Sequence, residues 1–254
     1  MTRALELWSK QLGVEVLPEL GGKISRLHSR ATRREWLWHN PHLSYARAEP
    51  GHSYVALHDT GGIDECFPEV HGEVYGRPWA GEPRGDELAL AFAGPGYRLE
   101  RKLRVGTALE LDYALANTGE GELSFVWCLH ALLAVEPGMQ LELPDETRVV
   151  PEPTGVAWKE FVGPLERGEV SVRAADGEAL RFAFDPREIP FLGLWQNFAG
   201  WAGVTGAAPY FNLGVEPSIG DADALADARA RGTAGLLPPN ATRAWRVTLT
   251  LDRR

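Results

Sequence analysis

Three proton-handling side chains stand in separate segments of this chain, each surrounded by turn-forming and aromatic residues. They are His71 in PEVHGEVYGRPW, His130 in FVWCLHALLAV and Glu216 in FNLGVEPSIGDADAL. An imidazole exchanges its proton close to neutral pH and a carboxylate is a base, so such a set can take one proton while giving another. If folding brings the three together, the sequence predicts a site for general acid-base chemistry.

Residues 61–79, GGIDECFPEVHGEVYGRPW, are predicted to form a long ordered loop that makes one wall of a pocket. Gly and Pro residues interrupt regular structure there, and loops held by a rigid framework often carry binding groups. His71 and Arg77 would donate hydrogen bonds to ligand hydroxyls, and Trp79 would offer a flat apolar face. Asp64 lies in the same segment and is included among the predicted binding residues. The alternative is a solvated surface loop, in which the aromatic residues would be poorly placed.

The surroundings of the other two groups leave a structural alternative for each. His130 follows a strongly aromatic strand pattern, where a histidine is usually a hydrogen-bonded core residue, and it becomes functional only if it shares a cavity with a carboxylate. Glu216 lies between Val215 and Pro217, at the end of an apolar strand pattern. Loss of hydration there would make the ionised carboxylate a stronger base. The alternative is a glutamate that points outward from an edge strand.

Alternation of apolar and polar residues dominates the chain and predicts antiparallel strands. Turn-forming Gly, Pro, Asn and Asp residues separate the runs. One helix is predicted between Asp221, which can cap it, and Gly232, which can end it. The predicted fold class is therefore all-β, a large antiparallel sandwich with one short helix in the C-terminal region, in a single domain of residues 1–254. The clearest alternating runs cover residues 97–105, 109–115, 123–130 and 245–251.

Composition limits the cellular setting and the partners. The formal net charge of −9 argues against a general surface for nucleic acid or anionic membrane, since both favour positive charge. No window approaches the ~18 apolar residues of a membrane span, and the N-terminus lacks the apolar core of a signal peptide. We expect a cytoplasmic protein, as a monomer or a homodimer. Cys66 and Cys128 are predicted to be buried reduced thiols, with one disulfide between them as the alternative.

The sequence does not predict a metal or a bound cofactor. Histidines are scattered through the N-terminal quarter, but no Cys or carboxylate pattern completes a ligand set around them. Phosphate-binding glycine loops and the nucleophile-elbow motif are also missing from the sequence. The scattered residues are His28, His39, His42, His52 and His58.

Segments along nearly the whole chain resemble the aldose 1-epimerase, or galactose mutarotase-like, family. PELGGKISRL resembles the opening strand and turn of that family, and GGIDECFPEVHGEVYGRPW resembles the region of its first histidine. WCLHALLAVEPGM resembles the strand of the second histidine, and NLGVEPSIGDADAL resembles the glutamate segment. LPPNATRAWRVTLTL resembles the closing strand. The resemblance implies a β-supersandwich of large antiparallel sheets.

The resemblance also implies an isomerase that interconverts the α and β anomers of a free aldohexose without a cofactor. Glu216 would take the proton from the anomeric hydroxyl, and His130 would protonate the ring oxygen. His71 would hydrogen-bond the substrate and stabilise charge on it. The family's substrate-binding Asp has no clear counterpart in this sequence. Asn197 lies near the expected place and is predicted to bind hydroxyls, with Gln196 as the alternative.

Two further readings of the same residues stay open. Arg77, which follows His-Gly and precedes Pro-Trp, also resembles hexose-6-phosphate mutarotases, where arginines hold the phosphate. A phosphate site needs two or more converging cations, and Arg26 is the candidate partner. The other reading is a non-catalytic carbohydrate-binding protein, which needs aromatic and hydroxyl-binding groups but no acid-base pair. Of these readings, the sequence favours the free sugar as substrate.

Overall fold

The structure, a computed structural model, describes residues 3–49 and 51–253. Most of its regular elements are β-strands. Two short helices, α1 (Tyr54–Leu57) and α2 (Leu225–Arg231), and a 3-10 turn at Pro18–Leu20 accompany them. The strands are β1 Leu5–Trp8, β2 Leu12–Leu17, β3 Lys23–Ser29, β4 Gly62–Cys66, β5 Ala80–Arg84, β6 Glu87–Gly94, β7 Tyr97–Val105, β8 Ala108–Asn117, β9 Leu123–Phe125, β10 Trp127–Leu133, β11 Gln140–Glu142, β12 Thr147–Val149, β13 Val156–Val162, β14 Glu169–Arg173, β15 Glu178–Phe184, β16 Phe191–Phe198, β17 Phe211–Ile219, β18 Gly235–Leu237 and β19 Thr242–Arg253.

The strands form two large sheets that pack face to face. The first sheet has eight strands in the order β1-β2-β3-β4-β10-β17-β16-β13, and the second has nine in the order β12-β11-β14-β15-β19-β8-β7-β6-β5. Strands β9 and β18 form a small separate pair. Neighbouring strands in each sheet run antiparallel, as the alternating sequence pattern predicts. This is the all-β architecture expected from the sequence.

Alternation along each strand decides which face is buried between the sheets. In β10, Trp127 and Leu129 belong to the main hydrophobic core, whereas Cys128 and His130 point to the opposite face of the first sheet. Strand β17 behaves in the same way, because Val215 packs into that core. The outer face of the first sheet therefore receives the polar residues of both strands.

A buried polar cluster connects the two sheets beneath this outer face. The carboxylate of Glu65 in β4 accepts hydrogen bonds from Arg101 Nη1 at 2.8 Å and from the Tyr113 hydroxyl at 2.6 Å. Its other oxygen accepts one from Trp127 Nε1 at 3.1 Å. Glu65 and Arg101 are both fully buried, so each charge depends on the other for compensation. The cluster fixes β4 and β10 of the first sheet against β7 and β8 of the second.

Two local expectations need correction. Residues 62–66 were predicted as loop but form β4, an interior strand that is buried on both faces. The sequence shows no alternation of polar and apolar residues there, because Asp64 on one face and Glu65 on the other are both charged. Each is paired with a buried cation inside the protein. The C-terminal-region helix α2 begins at Leu225 rather than directly after Asp221, and Asp221 does not cap it but accepts a hydrogen bond from the Thr233 hydroxyl.

The remaining helical features are simple. Gly232 ends α2 in the left-handed conformation, with φ of 73°, as predicted. Helix α1 was not predicted, and its Ser53 cap accepts a hydrogen bond from the backbone N–H of Ala56. Among residues 3–49 and 51–253, no helix has both the length and the apolar character needed to cross a membrane.

Candidate active site

On the outer face of the first sheet, four neighbouring strands each contribute one residue to a row. His130 in β10 pairs with Asp64 in β4. On its other side the constant register of β10 and β17 places Glu216 directly opposite His130. Glu216 in turn pairs with Gly193 in β16. The candidate acid and the candidate base therefore occupy adjacent positions on neighbouring strands, and the Glu216 side chain lies over the glycine.

A second row lies next to the first, two residues further along each strand. Leu132 pairs with Gly214, Gly214 with Trp195, and Trp195 with Lys159 in β13. Side chains at every second residue share a face of a sheet, so both rows project outward together. The two rows form the floor of a cavity.

The walls of this cavity come from α1, from the loops beside β4, and from the segments on either side of β17. Its volume is about 240 Å³. That lies just below the roughly 300–1,000 Å³ typical of drug-sized ligand pockets, so the cavity suits a small polar molecule. The lining residues are Tyr54, Val55, Asp59, His71, His130, Leu132, Lys159, Trp195, Trp201, Glu216 and Asp223.

The carboxylate of Glu216 is fully buried, and its two oxygens have different surroundings. Oε2 accepts a hydrogen bond from Lys159 Nζ at 2.6 Å and one from the Cys128 thiol at 3.5 Å. Oε1 accepts no hydrogen bond within the described residues, although His130 Nε2 approaches it to 3.5 Å. A buried carboxylate oxygen normally has a partner. Oε1 is therefore available to a ligand hydroxyl.

Lys159 supplies the positive charge of the cavity. Besides Glu216, its Nζ contacts Oδ1 of Asp223 at 2.6 Å, and its side chain is only 16% exposed. Burial alone would lower the pKa of Lys159, but the negative charge of Glu216, with help from Cys128 and Asp223, outweighs it and raises that pKa. Lys159 is therefore a fixed cation that is already compensated by two carboxylates.

Both imidazoles are neutral at physiological pH. Burial, followed by the charges of Lys159 and Lys23, holds the pKa of His130 well below its ordinary value. Burial and the nearby His130 ring do the same to the pKa of His71. Nδ1 of His130 is buried without a hydrogen-bond partner in the described part of the chain, so one ring nitrogen is free for a ligand.

His71 is held above the floor by aromatic contacts. Its ring stacks on Tyr54 with a centroid distance of 3.6 Å and an interplanar angle of 10°. It meets the His130 ring nearly edge-on, with centroids 4.7 Å apart. The Tyr54 hydroxyl donates to Asp64 at 2.9 Å, which fixes this stack to β4. The three residues that could carry acid-base chemistry, His71, His130 and Glu216, thus line one cavity.

Of the other residues expected to bind substrate, none lines this cavity. Arg77 lies in a neighbouring recess, where its guanidinium contacts Glu73 and the ring of Phe92. Trp79 is buried in the main core and donates its indole N–H to the carbonyl of Val74. Arg77 therefore shares this recess with His71 but does not line the cavity of His130 and Glu216, and Trp79 lies in the core.

Asp64 and Asn197 act on the site through other residues. Asp64 is buried, and its carboxylate accepts hydrogen bonds from Lys23 at 2.6 Å and from Tyr54. Asn197 is fully buried, and its side chain bonds the backbone of the turn that contains Trp201. Both therefore position lining residues, Tyr54 in one case and Trp201 in the other.

Several lining residues were not expected from the sequence. Lys159 is one of only four lysines, and it stands at a strand position whose neighbours across β16 and β17 could not be known. Trp195 of the floor and Trp201 of the wall meet edge to face, with centroids 5.6 Å apart. Asp59 lies in an unpatterned segment before β4. Of these residues, only Lys159 was distinguished by a feature of the sequence, because lysine is rare in this chain.

The two cysteines lie beside the cavity, on the same outer face of the first sheet as His130. Cys66 and Cys128 are cross-strand partners in β4 and β10, and both are buried and free. Cys66 Sγ approaches His71 Nδ1 at 3.9 Å. Within the described residues, no group of three or more His, Cys, Asp or Glu side chains is arranged to hold a metal ion.

Comparisons with known proteins agree on the fold. No protein-family model and no curated protein matches the chain. Solved structures with the same architecture include a Synechocystis sp. PCC 6803 protein, with a TM-score of 0.76 and 15% identity over 100% of this chain and 97% of that chain. An Escherichia coli K12 protein provisionally named aldose 1-epimerase has a TM-score of 0.75 and 14% identity, with 100% of each chain covered. A galactose mutarotase related enzyme from Lactobacillus acidophilus has a TM-score of 0.72 and 13% identity over 98% of this chain and 97% of that chain.

These likenesses identify the architecture as galactose mutarotase-like, in agreement with the fold expected from the sequence. At 13–15% identity they concern the arrangement of the strands and not the reaction. The chemistry of this chain must therefore be argued from its own cavity.

Proposed function

We propose that this protein is an aldose 1-epimerase that interconverts the anomers of an unphosphorylated aldose. The observation that supports this most strongly is the pair formed by His130 and Glu216. Both residues line one small cavity, and within the described residues the carboxylate oxygen Oε1 and the ring nitrogen Nδ1 have no hydrogen-bond partner. Anomer interconversion needs no more than a base at the anomeric hydroxyl and an acid at the ring oxygen.

In this mechanism, which runs in the fraction of molecules whose His130 is protonated, Oε1 of Glu216 removes the proton from the anomeric hydroxyl while the imidazolium of His130 protonates the ring oxygen. The C1–O5 bond breaks, the C1–C2 bond of the open aldehyde rotates, and closure on the other carbonyl face gives the other anomer. During closure the two residues reverse their roles, so one proton shared by the pair is conserved over each turnover. His71 hydrogen-bonds the substrate from the opposite side of the cavity.

The charges of the cavity favour a free sugar over a sugar phosphate. No arginine is among the lining residues, and the only lining cation, Lys159, is compensated by Glu216 and Asp223. The two arginines considered for a phosphate are engaged elsewhere, Arg77 with Glu73 and Arg26 with Glu35. A phosphate dianion would meet an excess of carboxylates, which costs binding free energy.

The aromatic wall fits the apolar side of a sugar. Trp195 and Trp201 both line the cavity and present ring surface beside the polar floor. Aromatic rings with a few directed polar groups are typical of small-molecule sites. The same wall would also serve a non-catalytic carbohydrate-binding protein, but such a protein gains nothing from an unpaired acid-base couple.

Polarimetry with freshly dissolved α-glucose and α-galactose tests the proposal. The wild-type protein should bring rotation to equilibrium faster than buffer does, and Glu216→Gln or His130→Ala should each slow it by roughly 10²–10⁴-fold. Glu122→Gln, at an exposed position, is the matched control and should be fully active. Sugar binding without acceleration would favour the carbohydrate-binding alternative. Full activity of Glu216→Gln would contradict the mechanism.

A further inference from the structure

Asp59 is a third carboxyl group of the cavity, and the acid-base pair makes no use of it. It lies three residues before β4 and is only 5% exposed, and it belongs to the cavity lining. Its Oδ1 atom has no hydrogen-bond partner in residues 3–49 and 51–253. A buried polar atom without a partner costs free energy, which a ligand that bonds to it would recover.

The backbone around Asp59 is held in place, so the side chain has a defined position. The Asn40 side-chain amide donates to the carbonyl of Asp59 at 2.8 Å and to the Tyr210 hydroxyl at 3.0 Å. The backbone N–H of Asp59 donates to the carbonyl of Tyr54 at 2.9 Å, which ties it to α1. These bonds anchor the main chain and leave the carboxyl group for the cavity.

No lysine or arginine in the described part of the chain forms an ion pair with this carboxyl. Lys23, whose charge acts on it, donates instead to Asp64 at 2.6 Å and to the carbonyl of Gly61 at 2.5 Å. Burial, partly offset by Lys23 and reinforced by Asp64, raises the pKa of Asp59 to about 7. Near neutral pH the group is therefore present both as an acceptor and as a donor.

The position of Asp59 separates it from the reacting bond. Gly62, the first residue of β4, pairs with Leu132 in the second row, whereas Asp64 pairs with His130 in the first. Asp59 lies five residues before Asp64 in the chain, on the Gly62 side, so we expect it at the end of the cavity away from the acid-base pair. A pyranose with its anomeric hydroxyl at Glu216 would then present a different hydroxyl at this end.

We propose that Asp59 binds one particular non-anomeric hydroxyl of the aldose and so determines which sugars this site accepts. The proposal rests on the proposed function and adds the residue that selects the substrate. A hydroxyl fits because it can donate to the carboxylate and accept from the carboxylic acid. A site built around a substrate hydroxyl strongly rejects the analogue that lacks it, because its own polar group is then left unpaired.

The test combines protein variants with a series of monodeoxy sugars. The aldose that the wild-type protein turns over best is compared with its 2-, 3-, 4- and 6-deoxy analogues, in the wild type, Asp59→Ala and Asp59→Asn. We expect one deoxy analogue to lose roughly 100-fold or more in kcat/KM with the wild type. The same analogue should lose no more than a few-fold with Asp59→Ala, because the hydroxyl no longer has a partner there.

Control variants distinguish the loss of hydroxyl recognition from disruption of the fold. Asp145→Asn changes a carboxyl whose side chain is 92% exposed, and it should keep the wild-type pattern of deoxy penalties. Circular dichroism checks the fold, and Asp59→Asn, which keeps the size and one acceptor, should retain part of the discrimination. Equal penalties for every deoxy analogue in the wild type and in Asp59→Ala would overturn the proposal.

The outcomes also distinguish this proposal from the proposed function. If the wild type binds aldoses but does not interconvert their anomers, the function fails. In that case the dissociation constants of the deoxy analogues still test the role of Asp59. Binding is measured by the change in fluorescence of Trp195 and Trp201, which line the cavity. If turnover occurs but the penalties do not depend on Asp59, only the present proposal fails. If no aldose binds, both fail.

Discussion

Nζ of Lys159 lies 2.6 Å from Oε2 of Glu216, so the buried carboxylate carries its own counter-ion and leaves Oε1 free. The same ammonium group contributes to the lowered pKa of His130. One lysine therefore compensates the charge of Glu216 and, at the same time, lowers the pKa of His130. Since the proposed reaction requires one proton on the His130–Glu216 pair, Lys159 sets the pH range in which the pair is correctly charged.

Lys159→Met should move the pH–rate profile to higher pH. In the wild type we expect the rate of mutarotation to rise as the pH falls below the ordinary histidine value of 6.5, because the pKa of His130 is lowered. Removal of the ammonium group raises that pKa and moves the decline in rate at high pH upward. Maximal turnover should also fall, since Glu216 loses its counter-ion. Polarimetric rates between pH 4 and 9 measure both effects.

The matched control is Lys102→Met, at an exposed position of β7, which should leave the profile unchanged. An unchanged profile for Lys159→Met would show that this lysine does not govern the protonation of the pair.

Gly214→Ala should reduce catalysis by moving the base. A Cβ atom at this position would lie 2.8 Å from Oε1 of Glu216 and 2.8 Å from Cβ of Trp195, so one of the two side chains must shift. Because a small misplacement of a catalytic group can lower rates by roughly 10²-fold, we expect kcat to fall by about that factor. Polarimetry under saturating sugar measures it.

Gly106→Ala provides the comparison for this change, since a Cβ there meets no atom within 4 Å. It should keep wild-type kcat. A Gly214→Ala protein with wild-type kcat would mean that Oε1 of Glu216 is not the proton acceptor.

Arg101→Met should destabilise the fold far more than the loss of a surface charge. It leaves the fully buried carboxylate of Glu65 without its cation, and breaking a buried ion pair from one side costs roughly 3–5 kcal/mol. The double change Glu65→Gln with Arg101→Met should recover part of this loss, because no buried charge is left unpaired. The free energy of unfolding in urea measures each variant.

An exposed pair gives the reference value for these measurements. Arg98→Met removes a contact with Glu100 between side chains that are 49% and 42% exposed. Its effect should be about 0–1 kcal/mol. If Arg101→Met were as mild as this, the cluster between the sheets would not be holding β4 and β10 in position.

Asp59→Asn should make stability less dependent on pH. The folded state raises the pKa of Asp59 from 3.8 to about 7, so the folded protein holds this proton more tightly than the unfolded chain does. The contribution of this bound proton to the stability of the folded protein is complete below about pH 4 and is lost as the pH rises toward 7. Between these values the stability of Asp59→Asn relative to the wild type should increase by an amount on the order of 4 kcal/mol or less.

Urea titrations at pH 4, 5.5 and 7.5 measure this difference, and Asp145→Asn should show no comparable trend. A constant difference between Asp59→Asn and the wild type would mean that the buried carboxyl does not titrate in this range.

The parts of this molecule that local patterns encode were predictable. Alternation in residues 97–105 and 109–115 predicted β7 and β8, because each buries every second side chain between the sheets. His71, His130 and Glu216 stood out because ionisable groups in apolar or turn-rich segments are unusual. The structure places all three at one cavity. Their chemical roles stay proposals.

What depends on distant pairing was not predictable. Asp64 was expected to bind substrate, but Lys23, 41 positions away in the chain, occupies its carboxylate. Trp79 was expected in a pocket wall but fills the core, since nothing local distinguishes those two environments. Lys159 reaches Glu216 across β16, a neighbour relation that only the register of three strands defines.

The floor of the cavity is built on neighbouring strands, and this ties correct strand alignment to activity. A slip of β17 by a single residue along β10 would send Glu216 into the apolar interior and bring Val215 to the cavity. Misaligned molecules can retain sheet content yet cannot place both halves of the acid-base couple. Once anomer interconversion is measured, specific activity reports the fraction of molecules with the correct strand register. Refolding experiments can use it to detect misaligned molecules, which circular dichroism cannot distinguish from native ones.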